Sequence, residues 1–133
     1  STSIFESTRY ARGHKALFTF EINGRDKSLA WDLHDLNRLD YFDHGVPSDR
    51  RGWSNIHCSD GDHPYAGNFW VPGLCLGYEH SFVGAVHEFL SHLDDPSAEK
   101  RFADFKDALG TQYVCDAVLE SAKTKQWVDV KRV

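Results

Sequence analysis

The chain has no methionine, only three cysteines and four prolines, and no long apolar run. Each shortage excludes something. Nothing approaches the ~20 apolar residues of a membrane-spanning helix, and no leader pattern opens the chain. The expectation is therefore a soluble, cytoplasmic protein. Cys58, Cys75 and Cys115 are widely spaced and form no C-x-x-C pair, which excludes a zinc knuckle and a redox dithiol. Three thiols in a reducing cytosol are expected. Ten glycines include no G-x-G-x-x-G and no P-loop, so nothing here cradles a pyrophosphate. Positive charge is also short: 15 Lys and Arg face 20 Asp and Glu, a net charge of −5. A nucleic-acid binder would show a basic face. The missing methionine leaves two origins open for Ser1. It follows a removed initiator, or it continues a longer chain.

What is present is the material of one ordinary domain. The 133 residues are 41% apolar and 26% charged, and the aromatic share of 14% supplies large rings for a core. The first half alternates as strands do. Residues 4–9 set Ile4, Glu6 and Thr8 against Phe5, Ser7 and Arg9. Residues 15–22 place Ala16, Phe18, Phe20 and Ile22 on one face. Asn23-Gly24 then marks a hairpin turn, because both residues tolerate positive φ. Leu29, Trp31 and Leu33 continue on the return strand, and residues 36–42 and 53–59 suggest two more strands. Residues 60–77 are broken by Gly61, Pro64, Gly67, Pro72, Gly73 and Gly77. So long an irregular segment in a compact domain usually does something.

The second half reads as helices. Tyr78, Phe82, Val86, Phe89, Leu90 and Leu93 follow helical spacing, ended by Asp94-Asp95-Pro96-Ser97. A second helix is predicted over residues 103–123, burying Phe105, Leu109, Tyr113, Val114, Ala117 and Val118. Gly110 within it costs roughly 1 kcal/mol relative to Ala. Trp127, Val128 and Val130 suggest a closing strand. The pattern is α+β: an antiparallel sheet with two helices packed on one face.

Eight histidines invite a metal, yet the spacing opposes one. His87 and His92 stand at i,i+5, which turns the imidazoles roughly 140° apart on a helix. His80 and His87 share a face but lie two turns, about 10 Å, apart. Neither pair makes a tetrahedral site. No G-x-S-x-G occurs, and Asp60/Asp62 and Asp94/Asp95 read as solvated loops. The richer segment runs from Trp70 to His80. It sets Tyr78, Glu79 and His80 at a helix start, where free N–H groups and the positive dipole end favour polar ligands. Trp70 is available to stack on a sugar face. Equally, Tyr78 is a core ring and His80 a cap-region residue.

The block W-V-P-G-L-C-L-G-Y-E-H-S-F, Trp70 to Phe82, resembles the C-terminal domain of the Gfo/Idh/MocA oxidoreductases. Thr8-Arg9-Tyr10-Ala11-Arg12-Gly13-His14-Lys15 is similar to that family's S-R-F-A-x-G-x-K strand pair. Phe20-Glu21-Ile22-Asn23-Gly24 and Ser28-Leu29-Ala30-Trp31-Asp32-Leu33 resemble its F-E-I-N-G … S-L-x-F-D-L hairpin. Asp62-His63-Pro64-Tyr65, Phe105-Lys106-Asp107-Ala108-Leu109, Asp116 to Ala122 and Trp127-Val128 follow in order. The resemblance covers nearly the whole chain and only about the final third of such an enzyme.

It implies a single partial domain, residues 1–133, for substrate binding and oligomerisation. It also implies NAD(P) held by a Rossmann domain that this sequence lacks, and a sugar, inositol or other polyol as substrate. The family's E-K-P and D-x-x-x-H segments, which supply its catalytic Lys and His, are absent, so no catalytic residue is expected here and His80 is not a catalytic base. The resemblance places Tyr78, Glu79 and His80 beside substrate, with Trp70, Arg9 and Lys15 as weaker candidates. Each of these three also has a structural role open to it: Trp70 in the core, Arg9 in an ion pair, Lys15 solvated. A sheet without its neighbours exposes an edge and an apolar face, so a homo-oligomer formed through the sheet is expected. The alternative is a free-standing, non-catalytic module that dimerises or pairs with a separate Rossmann subunit.

Overall fold

A computed structural model describes residues 2–133, whose contacts form two compact units, one up to Ser81 and the other Phe82–Val133. In the first unit β1 (Thr19–Asn23), β2 (Lys27–Asp32), β3 (Arg38–Asp43) and β4 (Ser54–His57) make an antiparallel sheet in the order β1-β2-β3-β4. A turn follows Asn23 where predicted, with Gly24 N–H donating to the Lys27 carbonyl at 2.9 Å, but neither Asn23 nor Gly24 takes the positive φ expected of them. Strand alternation then sorts the side chains by face. Cross-strand partners share a face, so Phe20↔Trp31, Ile22↔Leu29↔Tyr41 and Leu39↔Ile56 make one side apolar. Phe20 stacks on Trp31 at 5.7 Å, and Phe18 meets the same indole edge-on at 5.9 Å. The other side carries the row Glu21↔Ala30↔Asp40↔Asn55. There Asn55 donates to Asp40 at 2.8 Å and accepts from Arg38 at 2.7 Å.

Helix α1 (Tyr78–Asp94) has the bounds its periodicity predicts, and α2 (Phe105–Thr124) lies within two residues of the prediction. Asp104 caps α2. Its carboxylate accepts from the N–H groups of Lys106 and Asp107, while Asp107 accepts from the Asp104 N–H. This capping box satisfies donors that a helix start leaves free. Lys125 ends α2 in the left-handed region, at φ 60°. Residues beyond it return along the helix. Lys131 lies over the Tyr113 ring at 5.9 Å, and a Cβ at Gly110 would sit 3.5 Å from Val133. Gly110 thus stands where the returning chain passes close.

Four expectations are corrected. Residues 4–9 and 127–130 form no strand. Alternation marks a segment able to pair, but a strand exists only where a neighbour takes its hydrogen bonds. The strand expected over 15–22 begins only at Thr19, after a 3-10 turn at Arg12–His14 and Lys15 at φ 58°. The helical burial is also largely absent. Of the face predicted for α2 only Ala117 is buried, while Phe105 is 94% exposed, and α1 buries none of its apolar stripe. Amphipathic spacing predicts which face would be covered, not that a cover is present. Among the described residues no helix is long and apolar enough to cross a membrane.

Candidate functional site

Residues 60–77 stay irregular apart from a 3-10 turn at Ala66–Asn68, and side chains of the sheet's end hold them. Asn37, just before β3, clamps Leu76. Its amide donates to the Leu76 carbonyl at 2.8 Å and accepts from the Leu76 N–H at 2.8 Å. The side chain thereby replaces a strand neighbour and satisfies both backbone groups. Ser59, buried after β4, accepts from Gly73 N–H at 2.9 Å. These anchors fix the chain that enters α1.

At that entry His80 occupies the third helical position after Gly77. Its Nδ1 accepts from the Gly77 N–H at 3.0 Å, the backward half of a capping box with imidazole in place of the usual carboxylate or amide. The bond assigns the tautomer: Nδ1 is the acceptor, so neutral His80 carries its proton on Nε2. Glu79 Oε1 also lies 3.6 Å from Nδ1. That contact is an ion pair only when the ring is protonated, which would cost the Gly77 bond. The shorter, aligned hydrogen bond describes the neutral ring. The imidazole is wedged edge-on against Phe69 at 4.9 Å and Trp70 at 6.4 Å, and its side chain is only 20% exposed. Glu79 folds back over Gly77, where an added Cβ would lie 2.6 Å from the carboxylate. A side chain at position 77 would displace that exposed carboxylate.

Beside this corner lies an open groove of about 590 Å³, lined by Ala16, Leu33, Leu36, Asn37, Gly77 and Tyr78, with His34 and Asp35 at its polar part. The structure therefore brings four of the six candidates to one place: Trp70, Tyr78, Glu79 and His80. Lys15 stands next to groove-lining Ala16, and Arg9 is exposed on the irregular segment before β1. The chemistry gathered is that of recognition. An Nε2–H donor, a carboxylate, a phenol and an indole face suit hydroxyl groups on a carbon skeleton. With its Nδ1 committed to the helix cap, His80 offers a proton donor in its neutral form. Among the described residues no group of three His, Cys, Asp or Glu side chains could hold a metal ion.

Sequence reasoning missed Asn37, Phe69 and Gly77. Gly77 carried a signal, being the residue just before a helix whose third position is His. Asn37 carried little, because its two bonds reach a backbone 39 residues away.

No protein-family model matches the chain. A levoglucosan dehydrogenase of Pseudarthrobacter phenanthrenivorans is 29% identical over 129 residues, which are 96% of this chain and 32% of that enzyme. An oxidoreductase domain protein from Kribbella flavida superposes with a TM-score of 0.87 at 34% identity, over 94% of this chain and 32% of its own. A levoglucosan dehydrogenase in complex with NADH and L-sorbose superposes with a TM-score of 0.85 at 28% identity, over 95% and 33%. The chain thus spans about a third of the length of these relatives.

Proposed function

For a chain whose homologues are Gfo/Idh/MocA-type oxidoreductases, we propose the role of the C-terminal substrate-pocket and oligomerisation part of a sugar- or polyol-directed NAD(P)-dependent enzyme. The observation that carries it is the match of 96% of this chain to 32% of a sugar dehydrogenase. Two structural facts support it. The groove is lined by Tyr78, His34, Asp35 and Asn37, with Glu79 and His80 next along the helix, and together these offer the donors, acceptors and ring face that a polyol requires. The apolar face of the sheet is also open: Phe20, Ile22 and Ile56 are exposed there. A partner domain or a second copy against that face would cover them.

The dinucleotide is assigned to residues outside this chain. An all-antiparallel sheet without a glycine-rich strand-to-helix turn does not fit a pyrophosphate. The chain's own share is to hold the sugar. His80 donates from Nε2, Glu79 accepts, and Trp70 stacks. The test compares NAD(P)-dependent oxidation of a sugar panel by the native protein and by the 133-residue chain. Activity confined to the native protein is expected. Hydride transfer by this chain alone would contradict the assignment, and an inactive native protein of 15.2 kDa that binds a polyol would favour the free-standing module.

A further inference from the structure

Cys75 lies two residues before Gly77, and its environment is unlike that of the other two thiols. Its Sγ is 3.9 Å from His57 Nε2, and His57 Nδ1 is 2.7 Å from Ser59 Oγ. Ser59 is 3% exposed and also accepts from the Gly73 N–H at 2.9 Å. Cys58, by contrast, only points its thiol at the Ile56 carbonyl at 3.8 Å, and burial pushes its pKa up. Cys115 is exposed on α2.

We propose that Cys75, His57 and Ser59 form a reactive-thiol site that small electrophiles, hydrogen peroxide among them, modify. The three groups are arranged as nucleophile, base and orienting group. As the sulfur attacks, the Cys75 thiol proton passes to His57 Nε2, and Nδ1–H donates to Ser59 Oγ. A hydroxyl oxygen has two lone pairs, so Ser59 accepts from His57 and Gly73 together. With hydrogen peroxide, the sulfur attacks one oxygen as its proton leaves to His57. The S–O bond forms, the O–O bond breaks, and the leaving hydroxide takes the imidazolium proton as water. Cys75 becomes a sulfenic acid and the peroxide is reduced. Exposure of Cys75 admits the reagent, and the buried Ser59 holds the base in place. The next two residues, Leu76 and Gly77, line the groove, so an oxidised Cys75 changes the site's wall.

The test is site-resolved mass spectrometry of the native protein after timed exposure to iodoacetamide, with Cys115 in the same molecules as reference. At pH 6.5, where ordinary thiols are largely protonated, Cys75 is expected to be alkylated about fivefold faster than Cys115, because His57 takes its proton as the bond to carbon forms. The difference should close by about pH 10, where ordinary thiols are ionised. His57→Gln should bring Cys75 to the Cys115 rate while Cys58 stays protected. Dilute hydrogen peroxide followed by dimedone should tag Cys75 first. Equal rates at pH 6.5, or a ratio that His57→Gln leaves unchanged with Cys58 still protected, overturns the proposal. If that variant does not fold, the wild-type ratio and its closure at high pH decide alone.

Discussion

At the scale of single residues, Gly77 and Glu79 share one space at the start of α1. A Cβ at position 77 would lie 2.6 Å from the Glu79 carboxylate, the end of a flexible, exposed side chain. Gly77→Ala should therefore displace the carboxylate and shift the thermal midpoint only slightly, and Glu79→Ala should erase that shift. A large loss that Glu79→Ala leaves in place would show that the glycine serves another purpose. Lys15 poses a second question. It holds φ 58°, ψ −126°, where a non-glycine residue is strained, next to groove-lining Ala16. If the ammonium contacts substrate, Lys15→Gly in the native enzyme raises KM for the sugar several-fold while the thermal midpoint holds or rises. An unchanged KM would make Lys15 a purely solvated residue. The placement of Tyr78, Glu79 and His80 at a helix start was legible because they are contiguous and open a periodic run. Asn37 was not, since its partners are set by folding rather than by neighbours in sequence.

Among elements, the helices and the β1–β2 hairpin were legible because their signals are local. Periodicity gave α1 its bounds, and Asn23-Gly24 gave the turn. The strands expected at 4–9 and 127–130 failed for the opposite reason: pairing is a property of two segments. Helix α2 adds a pH dependence. The Lys100 ammonium, 2.6 Å from Asp104, holds that carboxyl well below the ordinary 3.8, helped by the Asp107 and Lys106 N–H groups. A depressed folded pKa contributes stability that is fully present above the unfolded value and is lost as pH falls through the folded one. Thermal unfolding followed by helical signal should thus hold steady from pH 7 to about 5 and weaken below about 4. Asp104→Asn should be less stable at pH 7 and less sensitive to acid. An identical acid slope in the variant would contradict the assigned role of this pair, while Asp43 and Asp95, also depressed, supply the dependence that remains.

For the whole molecule, amphipathic spacing named the faces to be covered, yet among the described residues only Ala66 and Ala117 of the apolar side chains are buried. On the proposed reading those faces meet the rest of an enzyme and its second copy, which explains why the patterns are clear and the core is thin. On the proposed function this sequence is one third of an oxidoreductase. The most direct measurement is the mass of the native protein that carries it, identified by peptides from this sequence. If 129 residues are 32% of such an enzyme, the whole is roughly 400 residues, or about 46 kDa at the mass per residue of this chain. The account predicts a species near that mass. A native protein of 15.2 kDa would contradict it.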